Sequence, residues 1–245
     1  MDASTFIQEV ESIFSKYWGG HCEVVTTFFS EPRPREQLVA WLDLQLYKEI
    51  HNVPRMAQKL IELYEKLDSG MPRGEYEAEA YELADEVQHY RLLADVRELL
   101  TGEKPKVARL RPSLEQAKLE EIRRKGAEKG PLVNAVTGFG PGGGTAFGAA
   151  GSMIDGGPVE RFLAQAFKVI YQQELAHYHK NRFVFDRLAR EASPSDYPKA
   201  LDHARDFARQ HLILRNESFG YPLSAQRMAE IDAGKVVPFI PPRFV

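Results

Sequence analysis

Glu86/His89 and Glu174/His177 each place a carboxylate and an imidazole three positions apart, on one face of a helix and within reach of one cation. These residues interrupt rows of apolar side chains spaced at three and four. Glu49 does so between Leu46 and Val53, Glu86 and His89 before Leu93, Glu174 and His177 after Ile170, and His211 between Phe207 and Leu214. An ionised carboxylate turned into such a seam without a partner is costly, and a shared cation removes that cost. The candidate metal ligands are therefore Glu49, Glu86, His89, Glu174, His177 and His211. All are oxygen or nitrogen donors, because the single cysteine, Cys22, cannot build a thiolate cage. Such a donor set suits iron or manganese.

Four long helices have to position these groups. Apolar periodicity and breakers place them at 35 to 67, 75 to 101, 158 to 192 and 197 to 218, with Gly70, Pro72 and Gly74 turning the first pair and Ser195, Asp196 and Pro198 the second. Short connections at 68 to 74 and 193 to 196 predict two antiparallel hairpins. Pro54, five residues after Glu49, should kink the first helix. The depths agree with one shared site. Counted from turns near 71 and 195, the six candidates lie 15 to 22 positions away, a spread of about 11 Å at ~1.5 Å per residue. His203 lies only 8 positions from its turn and falls outside that level.

Around this bundle, residues 4 to 18 predict an amphipathic helix stopped by Gly19-Gly20, and 23 to 30 has the propensity of a short strand. Ser113 and Gln116 cap a connecting helix to about 129. Residues 130 to 157, rich in glycine, read as a long loop that can act as a lid. The run Gly138 to Gly144 has neither the preceding strand nor the Lys-Ser/Thr ending of a phosphate loop. The tail from 234 to 245 reads as extended, packed on the body or on a partner subunit.

Composition bounds the function. A net charge of −3 gives no basic field for nucleic acid, and no apolar run approaches the ~20 residues of a membrane span. With no secretory signal pattern at the start, a cytoplasmic protein is expected. The 43% hydrophobic, 27% charged composition fits one globular domain over 1 to 245.

The pattern resembles the ferritin-like di-metal carboxylate superfamily, whose signature is a lone Glu followed about 30 to 37 positions later by Asp-Glu-x-x-His, in two helix pairs. Glu49 is followed 37 positions on by Asp85-Glu86-Val87-Gln88-His89; in the second half Glu174 is followed 37 positions on by His211, but Ala208 stands where that family has Glu. Glu49, Glu86, His89, Glu174 and His211 also resemble manganese catalase spacing, and Tyr47, Ile50, His51, Asn52, Val53 and Pro54 are similar to a motif of haem-oxygenase-like di-iron oxidases. The resemblance implies an all-α, ferritin-like four-helix bundle of two hairpins, with extra N-terminal and connecting helices. It also implies two iron ions, or manganese, and a non-haem oxidase or oxygenase that uses dioxygen on a small organic substrate. Alternatives are peroxide disproportionation by manganese and a non-catalytic helical interaction protein, in which arginines such as Arg91 or Arg215 pair with the seam acids. On the oxidase reading Glu86 and Glu174 bridge or cap the metals, Glu49 is terminal, and Phe167, Ile170, Leu93 and Phe207 line a dry cavity. A homo-oligomer and an electron-donor protein are the expected partners.

Overall fold

The structure is a computed structural model that describes residues 1–243. Among these residues the chain is all-helical, the only β pairing being an isolated bridge between Leu67 and Met71. Among the described residues no helix is long and apolar enough to cross a membrane. The end of the expected tail, 244 and 245, lies outside the described residues.

The first expected long helix is two: α2 (Arg35–Ile50) and α3 (Val53–Tyr64), broken at His51-Asn52 with Pro54 in the first turn of α3. A proline in an opening turn costs no hydrogen bond, so Pro54 starts a new helix, and the interruption at His51-Asn52 leaves both residues with helical dihedrals. Both segments pack on α4 (Arg73–Thr101), as the first hairpin requires. The connecting helix α5 (Leu114–Glu128) begins where Ser113 Oγ accepts from the Gln116 amide at 3.1 Å.

The N-terminal expectation needs correction. One helix, α1 (Ala3–Phe28), runs straight through Gly19-Gly20 and absorbs the expected strand at 23 to 30. Glycine inside a helix costs about 1 kcal/mol against alanine, but side chains here would strike neighbours: a methyl on Gly20 would meet Leu212 at 2.7 Å, and one on Gly19 would strike the Val237 carbonyl of the tail. The tail is fixed along α1, with the Phe239 amide donating to the Ser15 carbonyl at 3.0 Å.

The glycine-rich segment is likewise not a loop. It forms α6 (Pro131–Val136), a 3-10 turn and α7 (Gly140–Gly151), and α7 is buried along most of its length. The glycines serve close packing. A methyl at Gly148 would sit 2.8 Å from the Tyr171 backbone of α8 (Pro158–Glu191), and one at Gly142 would overlap the Trp18 indole of α1. A buried helix wedged between two others cannot serve as a lid.

This wedge also corrects the second hairpin. Although only a short turn separates α8 from α9 (Tyr197–Ser218), α8 takes α7 as its main neighbour, while α9 packs chiefly on α1 and α5. Ring contacts seal the middle of the molecule, including Phe6 on Tyr197 at 4.2 Å and Phe14 on Phe139 at 4.8 Å. The last helix, α10 (Ala225–Asp232), is tied to α1 by the Tyr17 hydroxyl donating to Asp232 at 3.0 Å.

If α7 is glycine-rich for space, substitution should follow sterics and not helix propensity. Gly142→Ala is expected to destabilise by about 1–3 kcal/mol, lowering the melting temperature by about 2–12 °C. Gly74→Ala, with nothing within 4 Å of the added carbon, should be neutral or slightly stabilising. Thermal unfolding followed by circular dichroism separates the two, and an unchanged Gly142→Ala melting point would contradict the packing account.

Candidate metal centre

The site is built where α4 and α8 cross at their middles. Gln173 meets Asp85, Gln88 and His89, His177 meets Asp85, and Lys180 meets Glu82 and Glu79, so rising numbers on α8 face falling numbers on α4 and the pair is antiparallel. Each helix brings one acid or amide followed by Glu-x-x-His: Asp85-Glu86-Val87-Gln88-His89 faces Gln173-Glu174-Leu175-Ala176-His177. Antiparallel pairing gives these two segments an approximate two-fold relation. The C-terminal turn of α2 adds Glu49 from the side.

Two trios of donor atoms result, each with all atoms within 4.8 Å of one another: Glu49, Glu86 and His89, and Glu86, Glu174 and His177. Each trio can hold a cation, and Glu86 belongs to both. Five of the six predicted ligands are thus brought together. His211 is not. It lies in neither trio because its helix packs on α1 and α5 and not along α8, although its ring still reaches the same cavity. His203 is also elsewhere, against Gly126 of α5.

The hydrogen bonds around the imidazoles fix which nitrogen is free. His177 Nε2 donates to Asp85 Oδ2 at 2.9 Å, because a carboxylate oxygen accepts, and this leaves the lone pair on Nδ1. Gln173 Nε2 donates to Asp85 Oδ1 and Gln88 Oε1, both at 2.7 Å, so Gln173 Oε1 is the acceptor for His89 Nε2 at 2.9 Å. His89 Nδ1 is then buried with no hydrogen-bond partner, 3.5 Å from Glu49 Oε2. A lone pair facing a carboxylate needs a positive species between them. In the metal-free chain that species is a proton on His89: burial would lower its pKa, but Glu49, Glu174 and Glu86 together raise it to about 9.

The acids divide by environment. Burial and the charges of Glu49 and Glu174 push Glu86 well above the usual carboxylate range, and Glu174 is raised chiefly by burial. Glu49 goes the other way; burial opposes its ionisation, but His89, Lys48 and Arg215 outweigh that and hold it low. Neighbouring acids whose pKa values are driven apart mark a site poised to exchange protons for a cation.

A cavity of about 110 Å³ opens on the acids, lined by Lys48, Asn52, Arg123, Thr137 and His211 besides Glu49, Glu86 and Glu174. Phe167, Ile170, Leu93 and Phe207 do not line it, which corrects the expectation of a dry pocket. The wall from α7 is Gly140, Pro141 and Gly144, and a methyl on Gly144 would lie 2.5 Å from the Glu174 carboxyl carbon. That helix supplies no donor; it supplies room.

Two cations stand close. Lys48 is brought down to about 8, first by burial and then by Arg215. Arg215 is fully buried, its Nη1 donating to Gln45 at 3.0 Å, its Nε facing His21 Nδ1 at 3.4 Å, its plane over Phe147 and its Nη2 unpartnered. Neither makes a direct ion pair with the seam acids, and Arg91 pairs outward with Asp95, so arginine pairing does not account for the polar seam. Gln173 and Lys48 escaped the sequence reading, and Asp85 entered it only as the first residue of the Asp-Glu-x-x-His motif, without a role. The likeness of the two pentapeptides was a usable signal for Asp85 and Gln173, whereas Lys48 carried none beyond its place beside Glu49.

No protein-family model, curated protein or solved structure matches the chain.

The shift on Glu86 gives a test in the metal-free protein. Above the ordinary carboxylate range and below its own raised pKa, Glu86 holds a proton in the folded chain that the unfolded chain has released. Its contribution to stability is therefore present in acid and is lost as pH rises. Glu86→Gln, which mimics the protonated acid, should stabilise the protein in EDTA at pH 8 by about 1–2 kcal/mol, or about 2–8 °C, with the gain shrinking toward pH 5. Scanning fluorimetry across that range checks it; a destabilised variant at pH 8 would contradict the shift.

Proposed function

We propose that the chain is a ferritin-like di-metal oxidoreductase, holding two iron ions and using dioxygen to oxidise a small organic substrate. The observation that carries this reading is the pair of trios sharing Glu86, with His89 Nδ1 buried and lacking a hydrogen-bond partner against Glu49. The residues fit a pair of divalent ions in kind: three carboxylates and two imidazoles, on three different helices. Iron bound there would supply the electrons and the open positions that dioxygen reduction needs.

The chain's own residues do the rest. Asp85 and Gln173 accept from the Nε2–H of His177 and His89, so each imidazole presents Nδ1 to the site without changing tautomer. Glu86, raised well above the carboxylate range, holds a proton in the metal-free state and would surrender it on loading. The cavity admits a small molecule beside the acids, and Lys48 and His211 line its wall within reach of proton exchange. The rival reading as a non-catalytic interaction protein requires the seam acids to be neutralised by arginines, and they are not. Manganese would suit the same donors, and metal analysis separates the two.

Protein purified without added metal is expected to carry close to two transition-metal ions per chain. Glu86→Ala and His89→Ala should each lose them, while His211→Ala should keep them. Asp85→Asn, which leaves the ligands in place but not their orientation, should weaken metal affinity by about 10–100-fold. Elemental analysis with a competing chelator reads all four variants. Absence of stoichiometric metal in the wild type, or its retention in Glu86→Ala, would sink the proposal.

A further inference from the structure

The segment between α4 and α5 carries Lys104, Lys106, Arg109 and Arg111 in close succession, a concentration of positive charge that the net −3 of the whole chain conceals. Folding gathers them further. A 3-10 turn, Val107–Arg109, bends the segment, with the Arg109 amide donating to the Lys106 carbonyl at 2.8 Å and the Leu110 amide to the Val107 carbonyl at 3.1 Å. All four basic residues then line one hollow of about 320 Å³, set against α2 and the end of α4. This hollow shares no lining residue with the cavity at the acids. We infer that it binds a small organic phosphate, at a site that does not depend on the di-metal reading.

Charge is the first reason. A fifth cation in the lining, Arg97, is already satisfied: its Nε donates to Asp43 Oδ1 at 2.5 Å and its Nη1 to the Glu103 carbonyl at 3.2 Å. Among the described residues no carboxylate pairs with Lys104, Lys106, Arg109 or Arg111. Arg111 is instead held by backbone, its Nη1 donating to the carbonyls of Ala108 and Leu110 at 2.8 and 2.7 Å. That hold fixes the guanidinium while leaving its other donors to a guest. Glu103 is the only acid left against the four, so the lining has a surplus of three positive charges. A single carboxylate would cancel one of them. A phosphate monoester carries close to two negative charges at neutral pH and three acceptor oxygens, which suit ammonium and guanidinium groups arriving from several positions. Shape is the second reason. Leu44, Pro105 and Leu110 add apolar lining and are more deeply buried than the four charges, so the guest has an organic part. Since ~150 Å³ accommodates benzene, about 320 Å³ suits about a dozen non-hydrogen atoms by that scale.

Phenyl phosphate matches that size, and titration calorimetry on the full-length protein at pH 8 tests it. It should bind one per chain and about tenfold more tightly than phthalate, a dicarboxylate of equal charge, and its affinity should be the same with and without EDTA. Lys106 and Arg109 are exposed and their side chains make no hydrogen bond or ion pair among the described residues, so neutralising them removes charge and no internal contact. Lys106→Gln and Arg109→Gln should each weaken phenyl phosphate by about tenfold. Lys59→Gln, which removes a surface lysine paired with Glu79, should bind as the wild type does. No binding of phenyl phosphate, equal or tighter binding of phthalate, or wild-type affinity in both Lys106→Gln and Arg109→Gln overturns the assignment. Binding that disappears in EDTA would put the phosphate on bound metal, and overturns it too. None of these outcomes bears on the metal content of the chain, so the two readings stand or fall separately.

Discussion

Three carboxylates that face one another in the interior are the constraint around which the rest of the molecule is arranged. Glu49, Glu86 and Glu174 come from three helices, and ionising all of them in place without a cation would cost more than the net stability of an ordinary domain can spare. The chain answers in layers. A proton sits on Glu86, His89 is held cationic beside Glu49, and Lys48 and Arg215 add positive potential without forming pairs that would block the site. Each answer is provisional in the chemical sense, since protons leave and a lysine side chain swings. Direct Arg–Glu pairs would have been firmer, and would have left nothing to exchange.

Rigidity is supplied from the opposite quarter, by the least polar helix in the chain. Because α7 is made of glycine and other small residues, α1 and α8 approach its backbone closely, and Trp18, Phe139, Tyr178 and Phe185 interlock beside it. Close packing of that kind fixes the level of Glu174 against Glu86 more firmly than a loop would. It also decides the chemistry of the fourth wall. A helix that must be glycine at the contact cannot also offer a carboxylate there.

Much of this was readable from the residues. Helical periodicity located α4, α8 and α9 to within a few residues and read α2 and α3 as one helix, and polar interruptions in apolar seams identified five residues that the fold brings together. What failed was partner choice. Spacing along the chain suggested that Glu174 and His211 answer Glu49 and His89, yet His211 sits on a helix directed to α1 and α5, and the partner of α4 is α8 itself. Spacing reports depth within a bundle but not which neighbour lies across it. The glycine segment failed for a related reason: local propensity counts each glycine as a breaker, whereas tertiary contact makes each one a fit, a competition that no window of sequence contains. Gly19-Gly20 misled in the same way, with the tail and α9 lying against them.

The two trios are not equivalent in burial. Glu49 and His89 are buried and Glu86 and Glu174 only half-buried; all three acids line the cavity, while His89 lies behind them. His51, at the junction of α2 and α3, reaches Glu120 on α5 at 3.5 Å, and the mouth of the cavity forms between α2, α5 and the start of α7. Tight holding and access to small molecules are opposing demands on a single pocket, and a fully buried His89 behind three acids that line the cavity meets both.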